Sequence, residues 1–167
     1  HLNEDVRQCL IYDSNKQDAR LIGVEYIISA KVFLTLPEEE KKYWHSHVYE
    51  ASNVKSGILI LPFGSAVPSV IADATEKKVM EGFVNTYGKT WHFWQVDRGD
   101  PLPYGPPQLM MSFTADNQIS PKLLEDRDKR FKVSTEEKRK ERSDISLTYN
   151  VDRNADHWTH RDDGMAY

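Results

Sequence analysis

The chain has 167 residues, of which 39% are hydrophobic and 29% charged, and its net charge is −4. This length fits one compact domain with a proper core, and the interspersed acidic and basic residues argue against a nucleic-acid partner, which needs a segregated basic face. Cys9 is the single cysteine, which excludes an internal disulfide framework and a paired-cysteine metal site. No segment approaches the roughly 20 apolar residues that span a bilayer.

The chain opens with two predicted strands. Residues 6–12 and 20–29 are rich in β-branched and apolar side chains, and the turn-forming run Asp13 to Asp18 separates them, so we expect a hairpin with a long loop. Glu25 is the exception within the second strand. A carboxylate at that position must face solvent, pair with a cation or serve a site.

The middle of the chain alternates between helical and extended patterns. Thr35 and Glu38 form a capping box around Pro37, which predicts a helix that ends near Trp44 or continues into the histidines. Farther along, the pattern predicts a strand over 57–63, a loop over 65–74, a helix over about 76–86 and a strand over 91–96.

Prolines and glycines between residues 99 and 107 exclude regular structure there. A short strand over 109–113 follows, and then two helices that begin after Ser120 and Ser134. The second of these, over 136–142, has no apolar face, so it is either solvated or pairs with a partner. The order of elements predicts an α+β protein, with a single domain over 1–145, a largely antiparallel sheet, helices on one face, and an irregular polar C-terminal extension over 146–167.

Three of the six histidines lie in two aromatic-rich segments. His45 and His47 belong to the first segment, which ends at Glu50, and His92 belongs to the second. If the first segment is extended, His45 and His47 point the same way and Glu50 points the other way, whereas in a helix His47 and Glu50 share a face. An extended segment would offer two imidazoles to one ion, with His92 arriving from a neighbouring strand.

Neutral imidazole is the commonest metal ligand in proteins. Three nitrogen ligands and an open position are typical of catalytic zinc, and non-haem iron sites replace one imidazole with a carboxylate. Glu25 or Glu50 could supply that carboxylate or orient an imidazole, and Tyr49 could add a polar contact. We therefore expect a divalent metal ion (zinc, iron or copper), with the candidate ligands His45, His47, His92, Glu50 and Glu25.

Two other interpretations of these histidines stay open. They could line a polar pocket that holds no metal, or they could be structural, with His45 and His47 capping a helix end among packed aromatic side chains. The sequence contains no nucleophile elbow, phosphate-binding glycine loop or dinucleotide fingerprint. It therefore identifies no catalytic residue and leaves open whether the protein is an enzyme.

Several segments together resemble the oil body-associated protein family, whose biochemical activity is unknown. The resemblance covers most of residues 1–145 in the expected order. It is carried by His1-Leu2-Asn3-Glu4-Asp5-Val6-Arg7-Gln8-Cys9, Leu21-Ile22-Gly23-Val24-Glu25-Tyr26-Ile27, Leu36-Pro37-Glu38-Glu39-Glu40-Lys41-Lys42, Trp44-His45-Ser46-His47, Val54-Lys55-Ser56-Gly57, Tyr87-Gly88-Lys89-Thr90-Trp91-His92 and Pro107-Gln108-Leu109-Met110-Met111.

The resemblance implies association with lipid droplets, or with another membrane surface, in a cytoplasmic protein. It also implies an upstream segment with further histidines, and a targeting signal there is compatible with a chain that starts at His1. The chain also departs from the family pattern by an apparent insertion at residues 51–53. The only candidate lipid contacts visible in the sequence are the loop over 63–71 and the proline segment over 101–107.

The sequence therefore favours an accessory protein of this family with a histidine-lined, metal-binding pocket. One alternative is a metal-dependent enzyme, either a hydrolase or a cupin-like oxygenase, because His45, His47, Glu50 and Gly57 loosely resemble the first cupin motif. The other is a structural interaction module whose charged C-terminal helix docks a partner protein.

Overall fold

A computed structural model describes residues 1–51, 57–62 and 68–160. Its strands are β1 (Val6–Tyr12), β2 (Leu21–Ser29), β3 (His45–Ser46), β4 (Thr86–His92) and β5 (Gln108–Met110). They form one five-stranded sheet in the order β1-β2-β4-β3, with β5 also paired to β4. The α+β class and the largely antiparallel sheet are thus confirmed.

Six helices accompany the sheet in the part of the chain that the structure describes. They are α1 (Ala30–Phe33), α2 (Glu38–Lys41), α3 (Val48–Ala51), α4 (Ser69–Phe83), α5 (Pro121–Phe131) and α6 (Thr135–Glu141), together with 3-10 turns at Val96–Arg98 and His157–His160. Ser29 ends β2 and begins α1, since its hydroxyl accepts a hydrogen bond from the Val32 amide.

The predicted hairpin and the two C-terminal helices agree with the structure, but the capping box at Thr35 does not. The Thr35 hydroxyl donates to the Val32 carbonyl at 2.7 Å, and Pro37 takes the cap position of a helix that covers only Glu38–Lys41. Thr35 therefore bonds back to α1 instead of capping a new helix. The short helix α2 stands where the pattern predicted a long one.

The strand expected over 57–63 is absent from residues 57–62, while Phe63 lies outside the described residues. Side chains of helical residues satisfy this backbone instead. Arg127 donates to the Ile58 carbonyl at 2.6 Å, Arg142 donates to the Leu59 carbonyl at 2.7 Å, and Glu76 accepts from the Leu61 amide at 2.9 Å. Long-range side-chain contacts of this kind leave no local pattern in the sequence.

Three other boundaries differ from the predictions. Residues 69–74 begin α4 rather than belonging to a loop, and Pro68 marks the start. The strand expected over 91–96 is β4, which ends at His92, because the Trp94 indole donates to the Asp100 carbonyl at 2.9 Å and the chain turns. The last predicted strand is shortened to β5. Of the candidate insertion at 51–53, only Ala51 lies within the described residues.

Backbone contacts divide the chain into two compact units, and the first comprises 1–45, 87–111 and the described part of 152–167. Its core groups Ile28, Ala30, Phe33, Trp44, Tyr87 and Ala155. The rings of Phe33 and Tyr87 stack with centroids 3.7 Å apart. Ala155 is 1% exposed, and the Asp156 amide donates to the Trp44 carbonyl at 3.1 Å. Part of the predicted polar extension is therefore integral to this core.

The second unit comprises the described residues of 46–86 and 112–151, with a core of Ala51, Met80, Val84 and Ile145. A buried charge network lies beside this core. Arg142 is 1% exposed and donates to Glu76 at 2.6 Å, and Lys138 of α6 donates to Asp73 of α4 at 2.7 Å. The charged helix over 136–142 is thus held by contacts inside the chain, because two of its cations face acidic residues of α4.

Gly23 allows β2 and β4 to lie unusually close together. A Cβ atom at this position would meet the Trp91 carbonyl oxygen at 2.7 Å and the His92 Cδ2 atom at 3.5 Å. The first contact is with backbone, so it cannot be relieved by a rotamer change. The His92 ring therefore lies against β2 because Gly23 has no side chain.

Replacing Gly23 by Ala should lower the free energy of unfolding by about 1–3 kcal/mol, because the new methyl group clashes with the backbone of β4. Gly82 is the matched control, since a Cβ there meets nothing within 4 Å, and Gly82→Ala in α4 should stabilise by up to about 1 kcal/mol. Urea denaturation of both variants measures the difference. Equal midpoints for the two variants would show that the strand spacing does not depend on Gly23.

Candidate metal centre

Glu25 projects from β2 toward the first residue of β3. Its Oε1 atom lies 3.0 Å from His45 Nε2, and the two side chains are 17% and 4% exposed. Because an ionised carboxylate only accepts hydrogen bonds, the hydrogen of this contact belongs to His45 Nε2. The unexpected carboxylate in the second strand is therefore paired with one of the candidate histidines.

His47 follows two residues later and is 1% exposed. Its Nδ1 atom lies 2.9 Å from the Thr86 hydroxyl, which itself donates to the Phe83 carbonyl at 2.6 Å. The single hydroxyl hydrogen of Thr86 is used in that second bond, so Thr86 accepts from Nδ1 of His47. In the neutral imidazole, Nδ1 therefore carries the hydrogen and Nε2 keeps the lone pair that a metal requires.

Glu25, His45 and His47 each offer a ligand atom, and these atoms all lie within 4.8 Å of one another. Ligands bonded to one tetrahedral zinc ion at about 2.0–2.2 Å are about 3.3–3.6 Å apart. A contraction of at most about 1.5 Å between any two of the three atoms would therefore bring them all to bonding distance of one ion. The ion would replace the hydrogen that His45 shares with Glu25.

His92 is not part of that group of three. It is 4% exposed, and its Nδ1 atom lies 2.9 Å from the Gln95 amide oxygen, which accepts from it. Its Nε2 atom is buried and has no hydrogen-bond partner among the described residues. His92 thus presents an unused lone pair on the side of β4 that faces Gly23.

Glu50 and Tyr49 lie in α3 rather than in an extended segment. Glu50 is not in the group of three. The Tyr49 hydroxyl donates to Asp116 at 2.7 Å, and burial followed by the Asp116 carboxylate raises the pKa of Tyr49 to about 12. The chain turns from strand to helix at His47. The stretch from His47 to Glu50 is therefore not extended, and the extended geometry considered for this segment in the sequence analysis does not apply to Glu50.

Cys9 lies directly opposite Glu25 in the β1–β2 register. Burial, and then the Glu25 carboxylate, raises the pKa of its thiol above the ordinary value. The thiol is therefore protonated near neutrality, which disfavours it as a nucleophile.

Sequence reasoning missed the two residues that orient the histidine rings. Gln95 follows His92 by three residues, and that short spacing is a usable signal. Thr86 is 39 residues from His47, and nothing in the sequence connects the two.

Comparisons with known proteins agree with the resemblance seen in the sequence. The model of a family described as "Protein of unknown function (DUF1264)" matches residues 1–146. No solved structure matches the chain.

Three curated relatives illustrate the similarity. Oil body-associated protein 1A of Zea mays is 51% identical over 146 residues, which is 87% of this chain and 57% of that protein. Oil body-associated protein 1B of Arabidopsis thaliana is 49% identical, with 87% and 56% covered. Oil body-associated protein 2A of Zea mays is 45% identical, with 99% and 63% covered.

The chain therefore belongs to the DUF1264 family, and the predicted resemblance to oil body-associated proteins is confirmed. It spans less than two thirds of the length of these curated relatives.

Replacing Thr86 by Val should cost about 1–3 kcal/mol of stability, because the buried Nδ1–H of His47 then has no acceptor in the Thr86 side chain. Thr35→Val is the control, since it also removes a hydroxyl with a local carbonyl partner, but at an exposed position, and it should change stability by less than about 0.5 kcal/mol. Guanidinium denaturation gives both values. If the Thr86→Val variant is as stable as the control, Thr86 is not the residue that orients His47.

Proposed function

We propose that this domain binds one divalent metal ion through Glu25, His45 and His47. The observation that supports the proposal is the convergence of one carboxylate oxygen and two imidazole nitrogens within 4.8 Å. The tautomer of His47 and the polar environment of His45 suit a metal, because both rings can direct a nitrogen into the cluster. His92 is the further candidate from the sequence, and its unused Nε2 atom could contact a water bound to the ion.

Two imidazoles and one carboxylate are compatible with zinc, iron or copper, since imidazole suits all three and the carboxylate adds a hard oxygen donor. Three protein ligands would leave a coordination position for water or a small ligand. The same donor set occurs in non-haem iron oxygenases, so a metal-dependent enzyme is the second candidate function. In that case the residues above would hold the metal, and its substrate would approach the open position.

Metal binding can be separated from a structural role of these histidines. Protein prepared without an affinity tag of histidines should bind one equivalent of Zn²⁺ in isothermal titration. At a metal concentration about 100-fold above Kd, binding should stabilise the fold by about 2.7 kcal/mol. Glu25→Gln and His45→Gln should each weaken binding at least about tenfold, because each removes one ligand from a three-ligand set.

Two controls accompany this titration. His157→Gln removes a histidine of the C-terminal 3-10 turn, and Glu4→Gln removes an exposed carboxylate; both variants should bind like the wild type. The absence of any Zn²⁺, Fe²⁺ or Cu²⁺ binding by wild-type protein would refute the metal proposal. So would equal affinity of Glu25→Gln and the wild type.

We further infer that the protein associates with oil bodies, which are lipid droplets. The relatives named above are described as oil body-associated, and they share 45–51% of their aligned residues with this chain. Among the described residues, no helix combines the length and apolarity needed to cross a bilayer.

Expression of the fluorescently tagged chain in cells that store neutral lipid tests this association. The tagged chain should be enriched in the floating lipid layer after centrifugation of the lysate, whereas the tag alone should stay in the aqueous fraction. A tagged chain distributed like the tag alone would contradict oil-body association of this part of the protein.

A further inference from the structure

We propose that one face of the sheet in the first unit docks onto the neutral-lipid surface of the oil body through an apolar, aromatic hollow. This inference rests on the proposed association with oil bodies and names the part of the chain that makes the contact. A hollow of about 620 Å³ is lined by Val24, Tyr26, Trp91, Phe93 and Pro107. The hollow is wide and open to solvent, so it offers a contact surface rather than an enclosed ligand cavity.

The strand register explains why these residues meet. Val24 and Tyr26 are two apart on β2, and Trp91 has the matching orientation on β4, since alternate residues of a strand share a side. The Phe93 amide continues the pairing by donating to the Ile22 carbonyl at 2.9 Å. Glu25 and Gly23 occupy the intervening positions, so they belong to the opposite side of the same sheet.

Neighbouring strands extend this face with further apolar side chains. Leu10 of β1 is directly opposite Val24, and Leu109 of β5 is directly opposite Trp91. Leu10 is 59% exposed and Tyr26 is 41% exposed. Contiguous exposed apolar surface of this kind marks a site of interaction.

The charge of the face identifies the chemistry of its partner. None of the five lining residues is charged at neutral pH, and the cation on the same side of β4, Lys89, is already neutralised. Its Nζ atom lies 2.6 Å from the Glu40 carboxylate and 5.7 Å from the Trp91 ring. An uncharged hydrocarbon phase complements such a face, whereas anionic headgroups or an acidic peptide would find no unpaired cation at Lys89.

Aromatic residues with a polar end suit the boundary between oil and water in particular. The Tyr26 and Trp91 rings offer apolar area together with a hydrogen-bonding group, and such side chains are enriched where lipid meets water. The proline segment that the sequence analysis proposed as a lipid contact ends at Pro107, which is part of the hollow. The second proposed contact, the loop over 63–71, includes residues 63–67, which lie outside the described residues.

Flotation with artificial droplets of triolein coated with phosphatidylcholine tests the proposal on the full chain. The wild type should float. Tyr26→Glu and Leu10→Glu should each reduce the floated fraction about tenfold, because a charge at the centre of an apolar contact opposes burial. Leu123→Glu on α5 is a matched control at a position 61% exposed, and it should float like the wild type.

Ionic strength provides an independent readout. Raising NaCl from about 0.05 M to about 0.5 M should leave flotation of the wild type unchanged, because screening weakens contacts between charges and not contacts with hydrocarbon. Loss of flotation in high salt would overturn the proposal in favour of charge-dependent binding to the phosphocholine headgroups. Thermal unfolding of each variant, with a midpoint equal to that of the wild type, shows that the fold is retained.

The failures of the two proposals are distinguishable. If the wild type and the Tyr26→Glu variant float equally well, the docking face is overturned and oil-body association still stands. A wild type that never floats would overturn both. A wild-type dimer in light scattering that Tyr26→Glu converts to a monomer, without any change in flotation, would assign the face to a second copy of the chain and overturn the lipid proposal.

Discussion

The close approach of β2 and β4 is the constraint that sets the geometry of both faces of the sheet. Gly23 brings the backbone of β2 against the Trp91 carbonyl, and no residue with a side chain could occupy this position without moving one of the strands. This spacing sets His92 against β2. It also sets Trp91 beside Val24 and Tyr26 on the other side. A single residue without a side chain thus determines the geometry of two faces of one sheet.

The two faces differ in chemistry because strand residues alternate in direction. Glu25 and its partner His45 lie on the buried side, where desolvation makes an unpaired charge costly and a paired or metal-bound one acceptable. Val24 and Tyr26 lie on the side with the hollow, where apolar area is left in contact with solvent. The alternation Val24-Glu25-Tyr26 within β2 therefore joins a polar site and an apolar contact surface in three consecutive residues.

Local patterns predicted the elements whose beginnings are signalled by neighbouring residues. The β-branched run of β2 and the serines that precede α5 and α6 were sufficient to identify a hairpin and two helices. The backbone of residues 57–62 could not be predicted in the same way. Its carbonyl groups are satisfied by Arg127 and Arg142 from distant helices, so a pattern typical of a strand does not form one.

The candidate site shows the same division between local and distant signals. Glu25 was conspicuous because a carboxylate interrupts an apolar strand, and the pair of histidines was conspicuous because of its spacing. The assignment of five candidate ligands stays a prediction, although the geometry separates three of them from Glu50 and His92. That separation arises from the turn into α3 and from Thr86, whose contact with His47 joins residues far apart in the chain.

Anomalous X-ray scattering from crystals grown with Zn²⁺ is the sharpest test of the metal site, because it locates the ion rather than its effects. If Glu25, His45 and His47 hold the ion, a single strong peak lies at about 2.0–2.2 Å from a nitrogen of His45, a nitrogen of His47 and an oxygen of Glu25. Density that places zinc only at exposed surface residues, with the Glu25–His45 hydrogen bond intact, would contradict the proposed site.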